Sequence, residues 1–411
     1  MQWKDTVDTT GNAERFGRDM FNDFDIDDPK FNDNFYDVLD DMVARCPVAH
    51  STVGTGYHLI NNYEDVRKAG QDWRTFSSAK GFQPNRGEGI PYLYPEESDP
   101  PYHTNWRRAL NPFFAPENVN AMEESIRADA NDLIDAFIAD GKCEFVGQFA
   151  SELPGRAFFK NLIGVPVEDL PMLLQAMDRH IYGPVAERGE QLGIALAYLG
   201  NYLKERSEQP STGDLIDTIA AGVERDGETC PWEDRVSILT DLTLGGIATT
   251  TFVMSGAMLH LATHPEDRLT LAKDPSKIPN AVEEFVRYFP PVVALGRSVT
   301  KDVELGGYEF KKDDFVLLNY ASASRDPKAL DDPQRLDINR DKILHTAFGV
   351  GPHRCIGSHL ARLELRVVLE ELLRRIPDFS VEPGTTQEYE TGVLRTMKSL
   401  HLVFGDQGDA S

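Results

Sequence analysis

One stretch limits the possible folds more than any other: from Pro231 to Thr263 the chain carries helical periodicity for about 33 residues, roughly 50 Å at 1.5 Å per residue. A globular domain holds a helix of that length by packing other helices around it. Leu239 to Ala262 is apolar enough to raise the question of a bilayer, but Asp241, a Gly-Gly pair and consecutive threonines would be costly against lipid, so the segment reads as a buried helix. At its centre, Leu244-Gly245-Gly246-Ile247-Ala248-Thr249-Thr250 sets two poor helix formers side by side. Such a patch permits close approach of a ligand and local opening of the hydrogen-bond ladder, or else it is a small-residue face packed on another helix.

Around this helix the pattern is consistent. Helical periodicity dominates from about 117 to 288, punctuated by Pro154, Pro166, Pro171, Pro184, Pro210 and Pro231. Strand-like segments are few: Tyr57-His-Leu-Ile before a helical pattern from Tyr63 to Trp73, a cluster from Val299 to Leu318 with Gly306-Gly307 and Lys311-Lys-Asp-Asp turns, and Leu400-His-Leu-Val-Phe near the end. Residues 79–98, rich in Gly, Pro and aromatics without periodicity, have the profile of a long functional loop. Residues 1–40 are acidic but interleave Phe21, Phe24, Phe31, Phe35 and Tyr36, which predicts docking onto the body. With no repeat and no Gly/Ser linker, the expectation is a mainly α fold with a minor β region, one domain over 1–411.

Composition narrows the function. With 41% hydrophobic residues, 22 Phe and 13 Tyr the chain is not disordered, and its net charge of −25 disfavours nucleic acid and anionic membranes. Cys46, Cys143, Cys230 and Cys355 lie far apart without CxxC spacing, which fits neither a disulfide scaffold nor a zinc cluster and points to a reducing cytoplasm. The first residues show no basic region followed by an apolar run, so no secretory or anchoring signal is expected.

Chemistry concentrates in Phe348-Gly-Val-Gly-Pro-His-Arg-Cys-Ile-Gly-Ser-His-Leu-Ala-Arg-Leu-Glu364. Gly349 and Gly351 permit a tight turn, and Cys355 stands just before a helix whose N-terminal N–H groups favour a thiolate. Such a sulfur is a metal ligand or a nucleophile; a lone buried cysteine in a glycine turn is the plain alternative. Gly357 removes a side chain beside it, consistent with a flat, bulky group lying against the loop. Elsewhere, Glu284 and Arg287 are i, i+3 partners, a spacing that alone makes a surface ion pair. His103 and Arg107 after Asp99-Pro-Pro lie at i, i+4, two donors suited to an anion.

Taken together these residues resemble the cytochrome P450 family, whose haem signature FGxGxHxCxGxxLAxxE is matched by Phe348, Gly349, Gly351, His353, Cys355, Gly357, Leu360, Ala361 and Glu364. The resemblance implies that Cys355 is the axial thiolate of haem b, iron protoporphyrin IX, with Phe348 shielding the sulfur. It implies that Glu284 and Arg287 are the family's ExxR pair, completed by Arg335 of Pro333-Gln-Arg335-Leu, with Leu336 where Phe is commoner. Arg297, His103, Arg107 and His353 would then meet the haem propionates. Gly245 and Thr249 align with the oxygen-binding helix, Thr249 as the threonine that steadies dioxygen and its protons. Ala248 occupies the position of the usual acid, a departure that touches proton delivery. Pocket residues by the same analogy are the 79–94 loop, Leu242, Gly245, Thr249, Val292, Val293, Leu295, Val393 and Leu394. The flavour is the soluble bacterial type, similar to the camphor and cineole monooxygenase branch through Phe76-Ser-Ser, Ile376-Pro-Asp-Phe-Ser and Met397-Lys-Ser-Leu.

The implied activity is a haem-thiolate monooxygenase that takes O₂ and two electrons from a ferredoxin, itself served by an NAD(P)H-dependent reductase. It would hydroxylate or O-demethylate a small apolar terpenoid or aromatic substrate as a monomer. Arg354, His359 and Arg362, with Arg107 or Arg108, form the expected basic docking patch for an acidic ferredoxin. Two other readings stand beside it: a non-oxygenating or peroxide-driven haem protein, motivated by Ala248, and a cysteine hydrolase using Cys355 and His353, disfavoured because the two are too near in sequence.

Overall fold

The long helix forms as one unbroken element, Trp232–Thr263, in a computed structural model that describes residues 11–84, 86 and 90–405. Pro231 precedes it, Glu233 and Asp234 supply acidic residues to its first turn, and His260 lies in its last. Most of its surface is covered by Glu152–Phe158, Val185–Ser207, Leu215–Ala221 and the helix Ser358–Arg375. It is long and apolar enough to cross a membrane, but its apolar face is spent on the protein core. Its glycines divide the two roles the sequence left open. A Cβ on Gly256 would stand 2.6 Å from the Phe289 ring, so that glycine admits a packed neighbour, whereas a Cβ on Gly245 would meet nothing within 4 Å.

The β structure is minor and peripheral. A five-stranded sheet runs Val48–Ser51, Tyr57–Ile60, Phe315–Asn319, Ala294–Val299, Phe76–Ser77; all its pairings are antiparallel except that of Tyr57–Ile60 with Phe315–Asn319. Small ribbons include Tyr389–Thr391 with Arg395–Met397, and Lys142–Glu144 joins a sheet with His401–Phe404. Two apolar clusters result, one around the long helix and one between the five-stranded sheet and the N-terminal segment. Phe16, Phe21, Phe24, Phe31 and Phe35 are buried in the second, so the aromatic spacing among the acidic residues is a docking pattern.

The helices nearest the C-terminus are fixed by charges rather than by apolar packing alone. Glu284 and Arg287, on helix Ile278–Tyr288, form a two-pronged pair at 2.7 Å for each bond, both fully buried. Arg287 also donates to the carbonyls of Pro333 at 2.8 Å, Ser324 at 3.2 Å and Arg335 at 3.0 Å. Glu284 accepts from the Asp337 N–H at 3.0 Å and from Arg340 Nε at 3.2 Å. The arginine that completes the network is therefore Arg340. Arg335, expected there, turns its side chain to solvent and contributes only its backbone carbonyl. The segment 331–340 has no regular period, so spacing alone does not say which of its arginines faces inward.

Replacing one member of a buried pair leaves the other charge stranded, so Arg287→Ala should cost about 3–5 kcal/mol or prevent folding. Arg340→Ala should cost about 1–3 kcal/mol, and Arg335→Ala should stay within about 0.5 kcal/mol of wild type. Urea unfolding of the three variants checks the order; equal costs for Arg335 and Arg340 would refute the assignment.

Candidate functional site

The cysteine loop owes its shape to contacts that admit no side chain. Gly349 and Gly351 have φ of 66° and 72°, a region that L residues avoid. A Cβ on Gly351 would overlap the carbonyl of Gly70, and a Cβ on Gly70 would overlap the Val350 side chain, so the loop packs directly on helix Tyr63–Gln71. The Cys355 N–H closes the loop by donating to the Phe348 carbonyl at 2.8 Å. Helix Ser358–Arg375 begins just beyond, and the Gly357 N–H donates to the Cys355 sulfur.

That sulfur opens into a cavity of about 280 Å³. Phe348, Gly349, Gly357, Leu360 and Ala361 line the wall around it, and Leu242, Gly245 and Thr249 of the long helix line another. Phe82, Leu93 and Glu96 of the 79–98 loop, Val292, Leu295, Val393 and Leu394 complete the enclosure. Two expected residues stand elsewhere. Val293 alternates away from its neighbour Val292 and is buried in the sheet cluster, and Ala248 is turned off the lining while Leu244, Gly245 and Thr249 face it. The long helix is not opened at its glycines: the Thr249 hydroxyl donates to the Gly245 carbonyl at 2.9 Å within a continuous helix.

Four basic side chains border the same cavity without an anion among them. His103 and Arg297 are each 2% exposed. The His103 and His353 rings lie 4.1 Å apart, His353 Nε2 is 3.2 Å from Ser78 Oγ, and Arg107 donates to the Arg354 carbonyl at 2.8 Å. Among the described residues His103 Nδ1 has no partner, and Arg297 donates to the carbonyl of its neighbour Gly296 and to the Tyr320 hydroxyl. Burial, then the charges of Arg107 and Arg297, lower His103 to about 4, and burial with the same cations and His103 lowers His353 well below its usual value. Burial raises the Cys355 thiol, against the Gly357 N–H and Arg107, so an ionised sulfur here requires a further cation at the site. An iron porphyrin supplies that cation and two carboxylates for the basic cluster, and the flat space beside Gly357 suits its macrocycle. The donor set fits a haem.

The cavity also holds acids. Asp241 lines it, in the i, i+4 row of Gly245 and Thr249 where periodicity could have placed it, and its carboxyl contacts that of Glu96. Glu364 is 1% exposed, with Oε1 unpartnered and Thr250 beside it; burial raises it to about 8, so it is protonated near neutrality. On the proximal surface the expected basic patch is thinned: Arg354 and His359 are exposed, but Arg362 is paired with Glu283 and stacked 4.4 Å over Phe348.

A buried cavity with a cysteine sulfur on one wall and a cluster of two histidines and two arginines at its edge defines a haem-thiolate site. Comparison with known proteins agrees. The family model for cytochrome P450 matches residues 278–402. Cytochrome P450 130 of Mycobacterium tuberculosis is 32% identical over 336 residues, 79% of this chain and 83% of that protein. Vitamin D(3) 25-hydroxylase of Pseudonocardia autotrophica is 31% identical over 359 residues, 84% of this chain and 88% of that protein. Among solved structures, CYP101J2 superposes with a TM-score of 0.82 at 28% identity, covering 93% of this chain and 96% of that one. CYP108D1 of Novosphingobium aromaticivorans gives 0.78 at 27% identity, covering 90% and 93%. The chain belongs to the cytochrome P450 family, in its bacterial form; it is an oxidoreductase with a haem-thiolate cofactor.

Glu283, beside the buried pair, holds the cysteine helix through Arg362 and the segment leading into the cysteine loop through His345 at 3.3 Å. Burial pushes its carboxyl up, but the bonds from His345 and Arg362 outweigh it and hold Glu283 at about 2. A depressed carboxylate stabilises the fold above its unfolded value of about 4.3, and that stability is lost as pH falls towards the folded value. With its side chain 29% exposed, about 1–2 kcal/mol is expected at neutral pH. Denaturant titration should show Glu283→Gln less stable than wild type by that margin, the gap narrowing steadily below about pH 4.5.

Proposed function

We propose that the protein is a ferredoxin-dependent monooxygenase that hydroxylates or O-demethylates a small apolar substrate, terpenoid or aromatic in skeleton. The observation that carries this is the cavity lined together by the Cys355 sulfur, Gly245 and Thr249, with largely apolar walls. Haem b, held there by Cys355, would supply the chemistry of dioxygen activation with two electrons.

The chain's own residues take the following parts. Cys355 is the iron's protein ligand, with Phe348, Gly349 and Gly357 shaping and shielding the space round the sulfur. His103, Arg107, Arg297 and His353 hold the propionates by charge-assisted bonds. Glu284, Arg287 and Arg340 keep the cysteine segment in place, and Leu242, Val292, Leu295, Val393 and Leu394 exclude water and orient the substrate. Thr249 holds a proton at Oγ; with its O–H turned to Gly245, its lone pairs remain for ordered water. The methyl group of Ala248 neither faces the cavity nor carries a proton. His353 is engaged by Ser78 and the His103 ring rather than poised as a base for Cys355, which disfavours the hydrolase reading.

We read residues 1–411 as one domain with the acidic N-terminal segment docked on it, acting as a cytoplasmic monomer. Burial of the segment's phenylalanines and of the long apolar helix supports this, and the net charge of −25 argues against nucleic acid and anionic membranes. Exposed Arg354 and His359 offer an acidic ferredoxin a local basic target.

The reduced, carbon-monoxide-bound protein should show the Soret band of a thiolate-ligated haem, and Cys355→His should bind haem without that band or oxygenation. Full turnover by Cys355→His would sink the ligand assignment. Thr249→Ala should lower product per NADH and raise hydrogen peroxide release; unchanged coupling would remove Thr249 from the proton path and shift weight to a peroxide-driven or non-oxygenating reaction.

A further inference from the structure

Two carboxyl groups share the cavity with walls that are otherwise largely apolar. Glu96, on the 79–98 loop, meets Asp241, on the long helix; the Asp241 carboxyl contacts both the Glu96 carboxyl and the Glu96 backbone N–H. Two carboxylates in contact cannot both ionise, and burial together with their mutual charge raises both, so the pair keeps a proton between them. Asp241 stands one turn before Gly245 and two before Thr249, about 12 Å along the axis from the latter. The pair is therefore in the substrate space, not on a surface.

Independent features mark that space as built for a guest. Glu364, 1% exposed, lines the same cavity and its Oε1 has no partner among the described residues, and Gly245, one turn from Asp241, leaves a gap where a Cβ would touch nothing within 4 Å. Neutralisation from the protein is thin. Arg86 is engaged by Glu97 and by the carbonyls of Ile90 and Pro91. Arg297, whose charge reaches Glu96, is the arginine assigned above to a haem propionate. A wholly apolar guest would leave a charged carboxylate facing hydrocarbon, which costs more than the apolar contact returns.

We propose that the substrate carries a basic nitrogen on an otherwise apolar body, and that the Glu96–Asp241 pair receives its ammonium group. The ammonium N–H donates to the ionised oxygen while the shared proton holds the second carboxyl in register. With water excluded, the attraction is stronger than at a surface, and it anchors one end of the molecule so that the apolar remainder is presented along the Gly245–Thr249 row. This rests on the monooxygenase reading and specifies its substrate class.

The test uses the haem-loaded protein and two probes of one shape: N,N-dimethyl-3-phenylpropylamine and its carbon isostere, (4-methylpentyl)benzene. Soret titration reports displacement of water from the iron as a blue shift. The amine should bind about tenfold or more tighter than the isostere, a preference that falls below about threefold in the Glu96→Gln, Asp241→Asn double variant while isostere affinity is retained. If the double variant takes up no haem, Asp241→Asn alone is held to the same criterion. Equal binding of the two probes by wild type, a preference that survives the substitutions, or a red shift marking nitrogen on the iron would each overturn the proposal. Loss of the thiolate Soret band in the reduced, carbon-monoxide-bound wild type would instead overturn the monooxygenase reading beneath it.

Discussion

Everything around the cofactor site leans on a fully buried ion pair, Glu284 with Arg287, that would be a liability if any of its bonds were missing. Taking both charges out of water is tolerable because each guanidinium arm and each carboxylate oxygen finds a partner: three carbonyls for the arginine, a backbone N–H and Arg340 for the glutamate. Those partners come from 324–340, a segment with little regular secondary structure of its own. The pair thus replaces a backbone ladder as the template for that segment, and the segment leads directly into the cysteine loop. Adjacent Glu283 extends the same logic to the cysteine helix through Arg362 and to the approach segment through His345. Two neighbouring acids on one helix consequently fix both the approach to Cys355 and the exit from it.

Much of this was legible in the sequence, and the failures have physical reasons. Helix Trp232–Thr263, the cysteine loop and the lining by Leu242, Gly245, Thr249 and Leu295 follow from periodicity, glycine placement and the resemblance to known haem-thiolate proteins. Arg335 was misplaced because an irregular segment has no period from which to read orientation; only the tertiary position of Glu284 decides between it and Arg340. Val293 went wrong by one residue in an extended stretch, where one residue is a change of face. Asp241 was visible as a charge in an apolar helix, yet its partner Glu96 lies in a loop without pattern, so their meeting belongs to the fold and not to either segment.

The cavity shows how a largely apolar enclosure can still be electrostatically divided. One border carries His103, Arg107, Arg297 and His353, where burial, and after it the charges of the neighbouring cations, holds both histidines neutral. The substrate space carries Glu96 and Asp241, and the helix after the cysteine carries Glu364; burial raises all three carboxyls. Neither group is satisfied by the polypeptide alone, so guests of opposite sign complete the two sides.

The fit of the cysteine loop on the helix that carries Gly70 has a consequence for how such a chain can change. At Gly351, in the loop, a Cβ would strike the carbonyl of Gly70, which lies in a helix beside the peripheral sheet, nearly three hundred positions away in sequence; at Gly70 a Cβ would strike the Val350 side chain. The two sides of the seam therefore differ in what can yield. A smaller residue at 350 would make room for a side chain at 70, whereas no exchange at 70 removes the carbonyl that bars one at 351, because that atom belongs to the main chain common to every amino acid.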